Sequence, residues 1–156
     1  MELTTRGRYA VMAMSDLAKH GEERAVALSE IADRQDLSEA YLGRLFGQLR
    51  QSGLVESTRG RGGGYRLARP ADEIMVAEVM AAVDEQTKMT RCLSGSSIGC
   101  IGEERCLTHG LWAALGRHIQ SFLGNVSLQD VIVGGRAFNM PQTRSQALRR
   151  PGLAAE

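Results

Sequence analysis

Apolar residues recur every three or four positions over the first fifty residues, which predicts three helices in this part of the chain. The first spans about residues 5–19 and carries on one side Tyr9, Met12, Ala13 and Leu17. The second spans Leu28–Gln35, and Asp36 is suited to the left-handed turn that would end it. The third is predicted to begin after Ser38, a favourable N-cap residue, and to end at Gly53.

The third predicted helix has the clearest division between an apolar and a polar face. Its apolar side chains stand at i, i+3, i+4 and i+7, namely Leu42, Leu45, Phe46 and Leu49. Because a short helix and a tight turn precede it, the pair is typical of a helix-turn-helix, whose second helix enters the DNA major groove. The face away from the apolar residues would present Ser38, Ala40, Tyr41, Arg44 and Gln48.

A glycine-rich turn between two short alternating runs follows the third helix. The runs are residues 54–57 and 65–68, and residues 58–64 lie between them, so a β-hairpin is predicted. A hairpin directly after a helix-turn-helix is a wing. Its glycines are not typical of a nucleotide-binding loop, because a strand follows them and no Lys-Ser/Thr pair is present.

The rest of the chain is predicted to hold a helix over residues 74–83 and a strongly amphipathic helix over residues 108–125. The predicted fold class is therefore mainly α with a small β-wing, a winged helix-turn-helix followed by a long helix. We divide the chain into a DNA-binding domain (1–84), a loop rich in Gly and Ser (85–107), the long helix with a short one after it (108–133) and a disordered tail (134–156).

The composition is that of an ordinary globular protein, with 43% hydrophobic and 24% charged residues among 156. No apolar run reaches the length of a membrane span and no apolar signal core follows the first residues, so we expect a cytoplasmic protein with no membrane partner. Net charge is only +1, but residues 40–69 carry +5 and residues 70–91 carry −3. This polarity fits a basic face that meets phosphates, and equally a solvated surface with uneven charge.

Three cysteines lie within fifteen positions close to a histidine, which favours a metal site over a disulfide framework. Cys106 and His109 are one helical turn apart at a predicted helix N-terminus, whose dipole stabilises a thiolate. The wide cysteine gaps favour an iron–sulfur cluster over structural zinc, which usually uses Cys-x-x-Cys pairs. Zinc, regulatory disulfide chemistry and incidental cysteines stay open as alternatives. The candidate ligands are Cys92, Cys100, Cys106 and His109.

Arginines are the residues most suited to reading DNA in this chain. Arg44 could pair with a guanine edge, and Arg59 and Arg61 of the wing suit phosphates or a minor groove. The alternative for each is a residue on a solvated surface; for Arg44 we favour contact with DNA, and for Gln48 the two interpretations are equally supported. Gly43 and Gly47 each cost the third helix about 1 kcal/mol against alanine, which close approach of the DNA backbone would explain, as would simple drift.

The sequence gives little support for catalysis. It contains no Cys-x-x-Cys pair, and we can place no Ser/His/Asp set or pair of carboxylates in a pocket. We therefore predict that the protein is not an enzyme and has no small-molecule substrate.

Five motifs extend over about residues 1–132: residues 3–11 (LTTRGRYAV), Tyr41-Leu42 with Leu45-Phe46, residues 62–65 (GGGY), 82–85 (AVDE) and 105–109 (RCLTH). They resemble the IscR family of winged-helix regulators of iron–sulfur cluster assembly. The resemblance implies a 2Fe–2S cluster on the four candidate ligands and control of cluster-assembly genes. In that family the cluster-bound form represses its own operon, and the cluster-free form still binds a second class of sites. The resemblance also implies a homodimer on double-stranded promoter DNA, paired through the long helix and its residues Leu111, Trp112, Leu115, Ile119 and Phe122.

Two positions depart from the family pattern. The gap between Cys92 and Cys100 is longer than the gap typical of the family, and Gly43 stands where a glutamate helps to discriminate the two classes of site. Related branches respond to nitric oxide or to iron supply. The nitric-oxide branch uses an acid on its first helix as a ligand, and no acid lies between residues 2 and 16 here, which favours His109. A regulator of one of those branches and a zinc-stabilised DNA-binding module without a sensing role are the alternatives.

Overall fold

The structure, a computed structural model, describes residues 4–60, 62–84 and 105–134. These residues form a mainly α fold with one two-stranded antiparallel sheet, which confirms the predicted class. The predicted tail and most of the predicted loop lie outside the described residues. In chain order the elements are α1 (Thr5–His20), α2 (Leu28–Gln35), α3 (Glu39–Gln51), β1 (Val55–Thr58), β2 (Gly64–Leu67), a 3-10 turn (Ala71–Glu73), α4 (Val76–Ala82), α5 (His109–Gly124) and α6 (Leu128–Val133).

The helices α2 and α3 form the predicted helix-turn-helix. Asp36 is left-handed, with φ 52° and ψ 49°, and the Leu37 N–H donates to the Ala32 carbonyl at 3.0 Å to close the turn. All four apolar residues predicted for the inner face of α3 are buried. One detail differs from the prediction, because Ser38 is the N-cap residue but its exposed hydroxyl accepts no hydrogen bond from the fully described first turn of α3.

The strands β1 and β2 pair antiparallel, with Val55 opposite Leu67, and form the predicted wing. The wing is joined to the body of the fold by Val26, whose N–H and carbonyl both hydrogen-bond to Tyr65, at 2.9 and 2.8 Å. A Cβ at Gly64 would collide with the Val26 carbonyl, so this close approach requires glycine.

The hydrophobic core lies between α1, α2, α3, α4 and α6. Burial of each large apolar side chain contributes about 1.5–3 kcal/mol, so this core determines how the helices pack. The side chains at its centre, taken from all five helices, are Met14, Leu17, Ile31, Leu42, Phe46, Leu49, Val79 and Leu128.

A short backbone bridge joins the segments that precede α4 and α6. Met75 lies opposite Ser127, and two flanking hydrogen bonds of 2.8 and 2.9 Å complete the bridge. Because residues 74 and 75 are extended in this bridge, α4 begins at Val76 and not, as predicted, at residue 74. The bridge also brings Leu128 of α6 into the core that residues from Ala10 to Val83 form. The predicted division into domains stays a prediction.

The helix α5 is the least buried of the long helices. Ala113 and Gly116 are its only buried residues, while Phe122 and Leu123 near its end pack against a small cluster at the start of α4. None of the helices in the described residues is both long enough and apolar enough to cross a membrane.

Candidate functional site

The outer face of α3 carries the side chains that the sequence predicts to meet DNA. Ser38, Ala40 and Arg44 are exposed, whereas Tyr41 and Gln48 are half-buried. Tyr41 also packs against the core. The predicted polar face of α3 therefore points away from the core, and two of its members are held by neighbouring elements.

Tyr41 contacts two side chains, an aromatic ring on α1 and an arginine on α3, its own helix. The Tyr9 ring of α1 meets it edge to face, with centroids 6.1 Å apart and planes at 86°. The guanidinium carbon of Arg44, one turn further along α3, lies 5.8 Å from the Tyr41 ring centroid. We call these three residues the Tyr9–Tyr41–Arg44 group. Among the described residues no carboxylate forms an ion pair with Arg44, so no such carboxylate competes for its N–H donors.

Gln48 connects α3 to the end of α4. Its Nε2 donates to Asp84 Oδ2 at 3.3 Å. Asp84 has a left-handed backbone, with φ 55°, directly after Val83, whose carbonyl accepts a 3.4 Å hydrogen bond from Arg6 Nη1. Side chains of α1 and α3 therefore meet the end of α4, at the last described residues before position 85.

The wing adds exposed basic residues next to α3. Arg59 is exposed near the tip, and Arg61 lies outside the described residues. Gly60 has φ 100° at the tip, a conformation that glycine adopts readily. Arg50 Nη1 at the end of α3 donates to Ser57 Oγ of β1 at 3.4 Å, which holds the wing beside α3.

An ion pair between a buried carboxylate and a partly exposed arginine fixes α2 against α1. Asp16 is 5% exposed and accepts hydrogen bonds from Arg34, the shortest from Nη2 at 2.6 Å, and from Gln35 Nε2 at 2.8 Å. Burial raises the pKa of Asp16, but the hydrogen bonds from Arg34 and Gln35 outweigh it, so this pKa lies below 3.8. The hydrogen bond with Asp16 raises the pKa of Arg34 above its ordinary value. Both groups are therefore charged at neutral pH and hold the helix-turn-helix in place.

Cys106 and His109, two of the four predicted ligands, stand at the start of α5. His109 is the first residue of the helix, and its N–H donates to the Cys106 carbonyl at 3.0 Å, so the two residues share one turn. Both are half-buried, and Cys106 Sγ lies 3.5 Å from Thr108 Oγ1. Cys92 and Cys100 lie outside the described residues.

The same end of α5 carries apolar surface that is exposed to solvent. An exposed apolar surface of this kind is typical of a region that meets a partner. Of the residues predicted for dimer contact, Ile119 and Phe122 are half-buried, and Phe122 packs within the chain. The exposed large apolar residues here are Leu107, which is fully exposed, Leu111 at 62%, Trp112 at 38% and Leu115 at 36%.

Sequence analysis did not identify Tyr9, Asp84 or Leu107 as parts of this site. Periodicity places Tyr9 on the core side of the first helix, and the sequence around Tyr9 does not indicate that its ring contacts the ring of Tyr41 on another helix. Asp84 follows a short helix, and its contact with Gln48 is between residues far apart in sequence. Leu107 could have been identified from the sequence. It is a large apolar residue between two predicted ligands, Cys106 and His109, where no core position is predicted.

A protein-family model described as Rrf2, iron-dependent transcriptional regulator, matches residues 3–134. An HTH-type transcriptional regulator IscR of Xenorhabdus nematophila is 47% identical over 150 residues, which cover 96% of this chain and 90% of that protein.

Two solved structures have the same fold. T. potens IscR aligns with a TM-score of 0.71 and 34% identity, over 91% of this chain and 93% of that one. CymR, described as the global cysteine regulator of B. subtilis, aligns with a TM-score of 0.74 and 28% identity, over 85% and 97%. Regulators named for different signals share this fold, so residues and not the fold must indicate the signal.

Proposed function

Because the chain belongs to the Rrf2 family of transcriptional regulators, we propose that it is a homodimer whose binding to promoter DNA depends on a 2Fe–2S cluster. In the proposed function it acts in the cytoplasm and represses genes of iron–sulfur cluster biogenesis when the cluster is bound. The relatives are regulators and not enzymes, so DNA is the partner through which the protein acts.

The observation that carries this proposal is the position of Cys106 and His109, which share the turn that leads into α5, beside the exposed apolar face of that helix. A thiolate and an imidazole one turn apart are suited to a shared metal centre. Leu107 and Leu111 of the apolar face lie next to them in sequence. A centre held by these ligands would adjoin the surface through which two chains pair, so its presence could alter how the two DNA-binding units are held.

The chemistry of the donor set fits an iron–sulfur cluster. Thiolates are the usual ligands of such clusters, and Cys92 and Cys100 would complete the set with Cys106 and His109. The Thr108 hydroxyl lies 3.5 Å from Cys106 Sγ and can donate to this sulfur when it is a cluster ligand. When bound, the cluster supplies a redox-active centre that is sensitive to oxidants and iron supply.

DNA recognition is assigned to α3 and the wing. Two α3 helices of a dimer would enter two half-sites about one helical turn apart. Arg44 is proposed to read a base edge, since a guanidinium can bond to the O6 and N7 atoms of guanine. The exposure of Arg44 and Arg59 supports this assignment. The other proposed contacts, with bases or phosphates, are Ser38, Ala40, Tyr41, Gln48, Arg59 and Arg61.

Purification without oxygen, followed by visible absorbance and by iron and acid-labile sulfide analysis, tests the cluster. We expect about two irons and two sulfides per chain. Cys92→Ala should abolish the absorbance and His109→Ala should change it. His118→Ala is the matched control, because His118 is an exposed histidine on the same helix, nine residues further along. Zinc without sulfide would instead support a zinc-stabilised DNA-binding module.

DNA binding tests the sensing role. A duplex selected from a randomised pool by the cluster-loaded protein is titrated with the loaded and the cluster-free protein at a fixed salt concentration. We expect the two forms to differ in affinity or in preferred sequence. Identical binding by both would contradict the sensing role and leave a DNA-binding protein that does not respond to the cluster.

A further inference from the structure

We propose that Tyr9 of α1 is a positioning residue for DNA recognition, because it fixes the Tyr41 ring against which Arg44 is held. The inference rests on the proposed function, in which Arg44 reads a base edge. Tyr9 itself lies on a different helix from the proposed DNA contacts and would act only through them.

The aromatic contact joins α1 to the outer face of α3. The rings of Tyr9 and Tyr41 are nearly perpendicular, at 86°, with centroids 6.1 Å apart, which is the favourable edge-to-face arrangement. Both residues are half-buried and pack against the core, so each ring has a fixed side and a side near solvent. Tyr9 therefore restricts where the Tyr41 ring can lie.

The Tyr41 ring in turn restricts Arg44. The guanidinium carbon lies 5.8 Å from the ring centroid, within the range of a cation–π contact. An arginine side chain loses the freedom of several rotatable bonds when it binds a base, and a side chain already held near its bound position loses less. A fixed ring under Arg44 would therefore favour binding.

Arg44 differs in its partner from the arginines that form ion pairs in the described residues. Arg24, Arg34 and Arg69 each form an ion pair with a carboxylate. A carboxylate occupies N–H donors and cancels the charge, whereas an aromatic face attracts the cation and leaves its in-plane donors for acceptors on a base. Next to Arg44, Gly43 has no side chain that could pair with it, and a Cβ there would meet nothing within 4 Å. The ring is thus the support that the described residues give Arg44.

Tyr9 could also serve only to pack the core, and the two roles differ in one measurable respect. If Tyr9 only packs the core, its replacement weakens DNA binding to the same extent whether or not Arg44 is present. If Tyr9 positions Arg44, replacing Tyr9 weakens DNA binding much more while Arg44 is present than when it is absent.

A double-mutant cycle on DNA affinity makes this distinction. The probe is a duplex selected from a randomised pool by the parental full-length protein. Tyr9→Leu keeps an apolar side chain and should lower affinity about three- to tenfold, but have a much smaller effect in an Arg44→Ala background, where only Tyr41 remains for Tyr9 to position. Tyr9→Phe keeps the ring and should retain affinity within about twofold. An equal loss in both backgrounds, or no loss in either, would overturn the inference.

Two further measurements separate positioning from loss of stability. Ile74→Val removes one methylene from a fully buried side chain at the start of the bridge to α6, so it destabilises the core mildly and should leave DNA affinity unchanged. In a nitrogen-15 NMR spectrum without DNA, ring current from Tyr41 should displace the Arg44 Nε–H signal. Tyr9→Leu should move that signal toward its position in Tyr41→Leu, and an unmoved signal would contradict the inference.

The inference and the proposed function can fail separately. If the parental protein selects no duplex, the proposed function is wrong and the inference falls with it. If the parental protein selects a duplex and Tyr9→Leu binds that duplex normally, only the inference is wrong.

Discussion

Gly64 and Gly43 differ in the space around them, a difference that the sequence alone does not show. Gly64 has φ 156° and approaches the Val26 backbone so closely that no side chain fits. Gly43 is helical and exposed, and a Cβ there would meet nothing within 4 Å. The fold requires glycine at the first position and does not require it at the second, so a reason for Gly43 must come from outside the described chain.

Gly43→Ala should therefore raise the free energy of unfolding by about 1 kcal/mol, the difference in helix propensity. Gly64→Ala should lower it by more than about 1 kcal/mol, because the methyl group collides with the Val26 carbonyl. Urea unfolding of both variants measures these changes in the free energy of unfolding.

We also expect Gly43→Ala to weaken DNA binding, since the methyl group stands on the face proposed to meet DNA. A stability gain with unchanged DNA affinity would show that the DNA backbone does not approach Gly43.

Asp16→Asn tests the ion pair of the buried Asp16 carboxylate with Arg34 and its pH dependence. At pH 7 the free energy of unfolding of the variant should be lower by about 2 kcal/mol, because hydrogen bonds to a charged carboxylate become hydrogen bonds to an amide. The folded-state pKa of Asp16 lies below 3.8, so its stabilisation is complete above that value and disappears as pH falls through the folded-state pKa. The difference between parent and variant should therefore shrink as the pH falls below about 4.

Glu30→Gln is the control for this pH experiment. The hydrogen bond from Arg24 lowers the pKa of Glu30 to about 2, but the Glu30 carboxylate is far more exposed than that of Asp16, at 33% against 2%, and its contact with Arg34 is longer, at 3.6 Å. Its effect should be small and should disappear in high salt, whereas the effect of Asp16→Asn should persist. If salt removed both effects equally, Asp16 would not behave as a buried group.

At the scale of elements, local signals predicted most boundaries and missed those set by distant residues. The helix α2 spans Leu28–Gln35 as predicted, because Asp36 carries its own signal for the left-handed turn. The start of α4 was wrong by two residues, because Met75 is extended opposite Ser127, which lies 52 positions away. A pairing of this kind leaves no periodicity in either segment.

Ser127→Ala should destabilise the protein by about 1 kcal/mol through the loss of a helix cap. Ser127 Oγ accepts the Asp130 N–H at 3.1 Å, and the Asp130 carboxylate accepts the Ser127 N–H at 2.9 Å. A six-residue helix such as α6 is not stable alone, so it depends on this cap and on Leu128. Thermal unfolding gives the comparison with Ser121→Ala, an exposed serine on α5 whose replacement should have little effect. Equal melting temperatures for the two variants would contradict the capping role.

At the scale of the whole molecule, the sequence predicted which residue types form the site but not how the elements bring them together. The spacing of Cys106 and His109 indicated one helical turn, and the structure has them on one turn. Arg44 was identified from its face on α3, whereas Tyr9 was not, because a pairwise contact between helices depends on how they pack. Packing is settled by the whole core, including Leu128 near the end of the described chain.

The exposed apolar face of α5 leads to a prediction for the whole molecule. Leu111→Glu places a charge in this face, and since Leu111 is 62% exposed, the folded chain itself should tolerate it. We expect a monomer in sedimentation and an operator affinity lower by more than about tenfold, because only one recognition helix then binds. Gln120→Glu adds the same charge on the opposite side of α5, where Gln120 is exposed, and should stay dimeric.

The Leu111→Glu monomer also distinguishes two ways of building the metal centre. In our proposal all four ligands come from one chain, from Cys92 to His109, so the monomer should keep the visible absorbance of the parent when it is prepared without oxygen. Loss of the absorbance together with the dimer would mean that the centre needs the second chain, and the proposed ligand set would then be wrong or incomplete. If the monomer keeps the absorbance but binds the operator more weakly, one chain is enough to hold the cluster. The effect of the cluster on DNA binding would then require two chains.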